Sequence, residues 1–202
     1  MKDLVTAQDV QAVPPGGELS TSAGAIVTPW AREVAAARGV RIVAASPASA
    51  EASIVAALGA DHGGYALKEE LKPVLTRLGW RFVDLGTFST EPVDYPDLAL
   101  AVARAVREGR ARLGIVIDGA GIGSAMAANK VPGIRAATCH DAAAARNARE
   151  HNDANVLSLG AKFVEGARAA EVVETFLTSS CTEERHARRV GKIKAIEEQF
   201  CK

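Results

Sequence analysis

The chain has 202 residues, with 24 basic against 24 acidic side chains, 48% hydrophobic residues and 4% aromatics. That length suits one domain of about 150 residues plus a smaller piece, and the composition excludes a wholly disordered chain. The missing basic surplus and the scarcity of aromatic stacking groups argue against a nucleic-acid partner. Cys139, Cys181 and Cys201 are odd in number and widely spaced, a pattern that suggests neither a disulfide framework nor a zinc site. The start MKDLVTAQDV has no apolar core of a secretory signal, and no apolar run approaches the ~18 residues of a membrane span. A soluble protein of a reducing, cytoplasmic compartment is expected, with no membrane partner.

In chain order, Thr6–Asp9 can cap a short helix. Thr28-Pro29 is an N-cap and first-turn pair, followed by WAREVAAARG with its glycine stop. Val40–Ala45 reads as a strand. The Ala/Ser/Pro stretch Ala44–Ser53 reads as a linker. It divides a small N-terminal α/β extension, residues 1–50, from a larger domain, residues 51–202.

The larger domain alternates strand and helix patterns. Strands are expected at Ser53–Asp61, Trp80–Gly86, Leu113–Asp118, Gly133–Cys139 and Asn155–Gly160. Helices are expected at Tyr65–Gly79, Asp97–Gly109 and Asp141–His151, then at Glu165–Leu177 and Glu183–Phe200. This alternation predicts an α/β fold with a parallel sheet of five strands and helices on both faces. Ligands of such sheets sit beyond the carboxyl ends of the strands.

Four features carry chemistry. Asp61-His62-Gly63-Gly64 follows the first strand, where an acid and an imidazole emerge beside glycines that admit a ligand to the backbone. Asp118-Gly119-Ala120-Gly121-Ile122-Gly123-Ser124 follows the third strand. Alternate glycines between a strand and a helix form an N–H cradle for an anion. The spacing fails the dinucleotide fingerprint, so a nucleotide is disfavoured. His151-Asn152-Asp153 precedes the last strand; His and Asn together can donate and accept protons on a polyol, but by itself the run reads rather as a helix C-terminus stabilised by His151. Arg185 and Arg189 lie i,i+4 on one face of the final helix, a pairing that suits a phosphate or a solvated basic face.

Together GADHGGYALKEEL, DLGTFSTEPVDYPDLA, GIVIDGAGIGSAMAANKVPGIRAA, EHNDANVLSLGAK and ERHARRV resemble ribose-5-phosphate isomerase type B and its galactose-6-phosphate isomerase relatives. The match runs from about Ser53 to Phe200, and its five segments stand in the family's order. The resemblance implies a Rossmann-like, doubly wound sandwich working as a homodimer with interface active sites, a higher oligomer remaining open. It implies interconversion of an aldose and a ketose phosphate through an enediolate, with no metal or organic cofactor.

It also implies residue roles. Asp61 and His62 bind sugar and phosphate. His151 opens the furanose ring, with Asn152 a neighbouring sugar contact. Arg185 and Arg189 hold the phosphate, and Lys162 stands where a basic residue of the partner contributes. Tyr95 lies near the sugar. Gly119, Gly121, Ile122 and Gly123 supply N–H donors to the enediolate.

The base departs from the family. Relatives carry a cysteine at the position of Asp118 or a glutamate at that of Ser124, and a hydroxyl residue at that of Ala120. Asp118 is the loop's one carboxylate and the expected base, with Ser124 beside it. Burial would have to raise its pKa from about 3.9. Three readings stay open: a swapped base acting on ribose 5-phosphate, another pentose or hexose phosphate as substrate, or an inactive sugar-phosphate-binding scaffold. The segments VTAQDV, GGEL and GAIVTPWAREVAAARGVRIV resemble leaders of bacterial microcompartment enzymes, in particular certain cobalamin adenosyltransferases. They imply shell or cargo proteins as partners and a place inside a microcompartment, against a plain docking or oligomerisation piece.

Overall fold

The computed structural model describes residues 2–44 and 55–200. The expected linker Ala44–Ser53 lies, apart from Ala44, outside the described residues. The chain divides into two compact units, residues 1–53 and 54–202.

The first unit runs β1 (Lys2–Val5), α1 (Ala7–Gln11), β2 (Glu18–Val27), α2 (Pro29–Arg38) and β3 (Arg41–Ala44). Its strands pair in parallel in the order β1-β2-β3. β1 and β2 carry a weak strand signal: β1 has four residues, and ELSTSAGAIV alternates mostly with small residues rather than large apolar ones. The capping signals do form. Asp9 accepts from the Thr6 N–H at 2.8 Å, and the Thr28 hydroxyl accepts from the Ala31 N–H at 3.2 Å. Gly39 closes α2 at φ 65°. Val5, Val10, Ala31, Ala35 and Val40 make the unit's own core. Thr28→Ala is expected to destabilise this small unit by about 1 kcal/mol. Faster hydrogen exchange at the α2 amides, with none at those of the second unit, would register it.

The second unit runs β4 (Val55–Ala60), α3 (Tyr65–Arg77), β5 (Arg81–Asp84), α4 (Tyr95–Arg107), β6 (Leu113–Asp118), α5 (Ile122–Ala128), β7 (Ala136–Thr138), α6 (Ala142–Asn152), β8 (Val156–Gly160), α7 (Gly166–Thr178) and α8 (Glu184–Phe200). The five strands are all parallel, in the order β5-β4-β6-β8-β7. Among the described residues no helix is long and apolar enough to cross a membrane.

Strand alternation builds two cores. Leu58, Ile115, Ile117, Leu157 and Leu159 pack with Leu67, Leu71, Leu75 and Phe176. Ala57, Val116 and Val156 pack with Ala99, Val102 and Ala103 on the other face. Both faces of β6 are covered, so its run LGIVID is buried throughout. α4 packs close because Gly114 opposes it: a Cβ there would lie 2.6 Å from Val102.

Two expectations shift. α4 begins at Tyr95 rather than Asp97, with Pro96 tolerated in its first turn. β7 is shorter than Gly133–Cys139, because the Arg135 N–H is taken by the Asn155 side chain at 2.8 Å.

Candidate active site

β4 and β6 are neighbours, so their carboxyl ends bring the two sequence-distant loops together. The Asp61 N–H donates to the Ile117 carbonyl at 3.0 Å. The buried Asp61 carboxylate accepts from the Gly64 N–H at 2.9 Å and so ties the loop to the start of α3. His62 is exposed, with Nδ1 3.3 Å from both the carbonyl and the N–H of Val93. Gly64 has no room for a side chain, since its Cβ would stand 2.5 Å from the Ile117 carbonyl oxygen. Gly64→Ala is therefore expected to destabilise by about 1–3 kcal/mol and to displace His62. Urea unfolding and a shifted His62 imidazole signal in NMR would show the two effects.

The loop after β6 is organised from within by Asp118. Its Oδ1 accepts from the N–H groups of Ala120, at 2.7 Å, and Gly121. Its Oδ2 accepts from the Ser124 N–H at 2.9 Å. Burial pushes this carboxyl upward, but the adjacent Ser124 side chain and the three N–H donors outweigh it and hold the pKa below the ordinary aspartate value. The expected upward shift is thus corrected: the same burial that desolvates Asp118 also surrounds it with donors. The loop's donor roles change as well. The Ala120, Gly121 and Ser124 N–H groups face Asp118. The Ile122 and Gly123 N–H groups lie in the first turn of α5, where no intrahelical carbonyl is within reach.

Neighbouring strands grip this loop. The Gly121 carbonyl accepts from Thr138 at 2.6 Å and from Ser158 at 2.7 Å. Gly121 takes φ 75°, and a Cβ there would come 2.8 Å from the Gly160 nitrogen. The Ser124 hydroxyl is fully buried beside the Asp118 carboxylate. The Tyr95 ring lies over Gly123, where a Cβ would stand 2.9 Å from the phenol oxygen. Lys162 also belongs to this group. Its N–H donates to the Gly119 carbonyl at 3.0 Å, and its Cε would lie 3.4 Å from a Gly119 Cβ. The pairing of Asp118 with Gly160 sets Lys162 beside its own loop.

His151, Asn152, Arg185 and Arg189 form a second group elsewhere. α6 leaves the carboxyl end of β7 and runs back against the strands, so His151 and Asn152 end beside the start of β8. α8 begins there too. His151 stacks on His186 with ring centroids 4.1 Å apart and 15° between planes. His186 is buried, with neither ring nitrogen hydrogen-bonded, and Glu183 stands 3.7 Å from its Nε2. Burial first, then the neighbouring His151 and Arg185, push the His186 pKa down. Arg185 pairs with Glu183 at 2.6 Å, both exposed, a contact of little energetic weight.

The predicted residues thus fall into two groups at opposite ends of one sheet. The first holds Asp61, His62, Tyr95, Asp118, Gly119, Gly121, Ile122, Gly123, Ser124 and Lys162. The second holds His151, Asn152, Arg185 and Arg189. Three further side chains escaped the sequence reading. His186 sits inside ERHARRV, a polar run that gives no sign of a buried ring. Asn147 stands 3.0 Å from His151. Lys68 is fully buried and bonds both Asp84 oxygens at 2.7 Å, while Asp84 also accepts from the Gly86 N–H at 3.0 Å. A lysine on an amphipathic helix gives no sequence signal of burial, because its partner lies on another strand.

The sequence profile of the Ribose/Galactose Isomerase family matches residues 56–193. A putative sugar phosphate isomerase of Bacillus subtilis is 41% identical over 144 residues, covering 71% of this chain and 97% of that protein. Ribose-5-phosphate isomerase B of Escherichia coli is 42% identical over 143 residues, covering 71% of this chain and 96% of that protein. The solved ribose-5-phosphate isomerase B of Clostridium thermocellum has a TM-score of 0.71 at 49% identity, covering 72% of this chain and 99% of that one. On a shared five-stranded sheet and a profile match over most of its length, the chain belongs to the ribose/galactose isomerase family.

Proposed function

We propose that the protein interconverts ribose 5-phosphate and ribulose 5-phosphate through an enediolate, at sites completed by a second copy of the chain. The observation that carries this is the separation of the two residue groups. A sugar-phosphate site needs both, and one chain holds them at opposite ends of its sheet. In a homodimer, the loop end of one copy would meet the arginine end of the other. Its relatives' names, ribose-5-phosphate isomerase B among them, support the substrate class.

In this reading Arg185 and Arg189 bind the phosphate dianion, and Asp61, His62 and Tyr95 fix the sugar. His151 and Asn152 meet the anomeric end and promote ring opening. Removing the proton from C2 of the open aldose leaves an enediolate. The Ile122 and Gly123 N–H groups stabilise that oxyanion without reorganisation. Asp118 braces the loop through Oδ1 and takes the proton on Oδ2; as the hydroxyl proton passes from O2 to O1, it returns its proton to C1 and leaves the carbonyl at C2. Lys162 adds positive charge beside Gly119. A coupled assay with ribose 5-phosphate tests the reading; turnover there supports it. Turnover only with another pentose or hexose phosphate would move the substrate and keep the chemistry.

A second reading has one observation in its favour. Asp118 itself fills donors that an enediolate would use, as expected of a sugar-phosphate-binding scaffold without turnover. Thermal stabilisation by ribose 5-phosphate with no turnover of any sugar phosphate would select it.

For residues 1–50 the reading is a docking piece for microcompartment shell or cargo proteins. α1 and α2 pack on each other, and Leu4, Ile26 and Val43 stay exposed on the sheet. Removing residues 1–53 is expected to leave turnover unchanged and abolish co-sedimentation with assembled shells. Retained co-sedimentation would refute the docking role.

A further inference from the structure

His151 has two ring nitrogens with distinct surroundings, and what it can do to a sugar depends on which one carries the proton. Asn147 lies one helical turn earlier on α6, on the same face. Its Nδ2 stands 3.0 Å from His151 Nδ1. The direction of that amide is fixed from its other side. Asn152 Nδ2 donates to Asn147 Oδ1 at 3.3 Å and to the Asn147 carbonyl at 3.3 Å. With Oδ1 accepting, the Nδ2 donors are turned toward the imidazole. A donor there is satisfied only by a lone pair on Nδ1. In the neutral ring the proton then lies on Nε2.

We propose that Asn147 is a positioning residue that selects the Nε2–H tautomer of His151, so that His151 presents a hydrogen-bond donor to the sugar oxygen it meets.

This rests on His151 being the sugar-facing histidine of the proposed isomerase. The chain Asn152–Asn147–His151 sets the tautomer, and the stacked His186 sets the ring plane. His186 reaches His151 from α8, parallel within 15° at 4.1 Å. Stacking holds the ring plane, and within that plane it is Nδ1 that faces Asn147. His186 is buried and its own nitrogens bond nothing, so it serves as a flat wall rather than a proton relay. A fixed Nε2–H polarises an oxygen of the sugar without a covalent step at the imidazole. Asparagine suits the task because it donates and cannot accept at Nδ2. Aspartate in its place would accept instead and draw the proton to Nδ1.

The test is nitrogen NMR on protein labelled with ¹⁵N-histidine, at about pH 8.5, above the ordinary histidine range. The chain has 4 histidines, and a His151→Gln spectrum assigns the signal. The full-length protein is expected to show a pyridine-like Nδ1 and a pyrrole-like Nε2. Asn147→Leu should average the two signals, Asn147→Asp should exchange them, and Asn147→Gln should restore the native pattern in part. A pyrrole-like Nδ1 in the native protein overturns the proposal. So does a native pattern that survives in Asn147→Leu. In the isomerase assay, Asn147→Asp is expected to lower kcat about 10-fold with KM within about twofold, since the wrong tautomer leaves binding groups in place. A native tautomer pattern in a protein that turns over no sugar phosphate would refute the isomerase reading and leave the tautomer assignment standing.

Discussion

Mixing two inactive variants is expected to restore turnover. Asp118→Asn disables the loop end of the chain, and the double variant Arg185→Ala/Arg189→Ala disables the phosphate end. Each alone should fall below about 1% of the native rate, as expected when a base or a bidentate phosphate clamp is lost. In a two-fold dimer each site would combine the loop end of one copy with the arginine end of the other. A mixed dimer then has one site with both defects and one with none. Random pairing makes half of the dimers mixed, so about a quarter of native turnover should return. The physical reason is distance. α6 has 11 residues and so is about 16 Å long, and it separates His151 from the strand ends that carry the loop. A five-carbon sugar phosphate cannot span that length within one chain. If co-expressed variants give only the sum of their separate residual rates, the shared-site proposal fails. If each single variant stays active, the residue assignments fail instead.

The sequence made the layers of the second unit legible because they depend on local periodicity. LGIVID is buried on both faces and reads as a continuous apolar run, while α3 and α4 alternate at helical spacing and stop at Gly79 and Gly109. The strand ends could be located for the same reason, and with them Asp61, His62 and the glycine loop. What sequence could not supply was orientation. Lys162 follows β8, but only the β6–β8 register places it over Gly119 of its own chain. Asp118 was legible as a buried carboxylate, whereas the sign of its pKa shift depended on three N–H groups converging on it. His186 and Asn147 act through their distance to one ring, and no spacing rule encodes a stack between two helices. In the first unit β1 is only four residues long and β2 alternates mostly with small residues, so neither carries a strong strand signal of its own.

Asp118→Asn is expected to reduce turnover by about 10²–10³-fold and to destabilise the second unit by about 2–3 kcal/mol. Both effects have the same origin. An asparagine places an NH2 donor where a carboxylate oxygen now accepts from backbone N–H groups, and at a buried position the facing donors are left unpaired. The pH dependence separates the carboxylate from its isostere. The folded pKa of Asp118 is lowered, so its stabilising contribution is fully present above the unfolded value of about 3.9. It is lost as pH falls through the folded value, where both states are protonated. The stability gap between native protein and Asp118→Asn, measured by urea unfolding, should therefore be constant near neutrality and shrink only in strong acid. A gap that closes already between about pH 6 and 7 would mean that Asp118 is not held low. Kinetics then divides brace from base. A base with a lowered pKa is already ionised at neutral pH, so the acid limb of kcat/KM should lie below the usual carboxylate range unless a histidine imposes one first. If Asp118→Asn keeps native turnover with a folded loop, Asp118 is neither base nor brace, and the N–H donors it now occupies would be free for the enediolate.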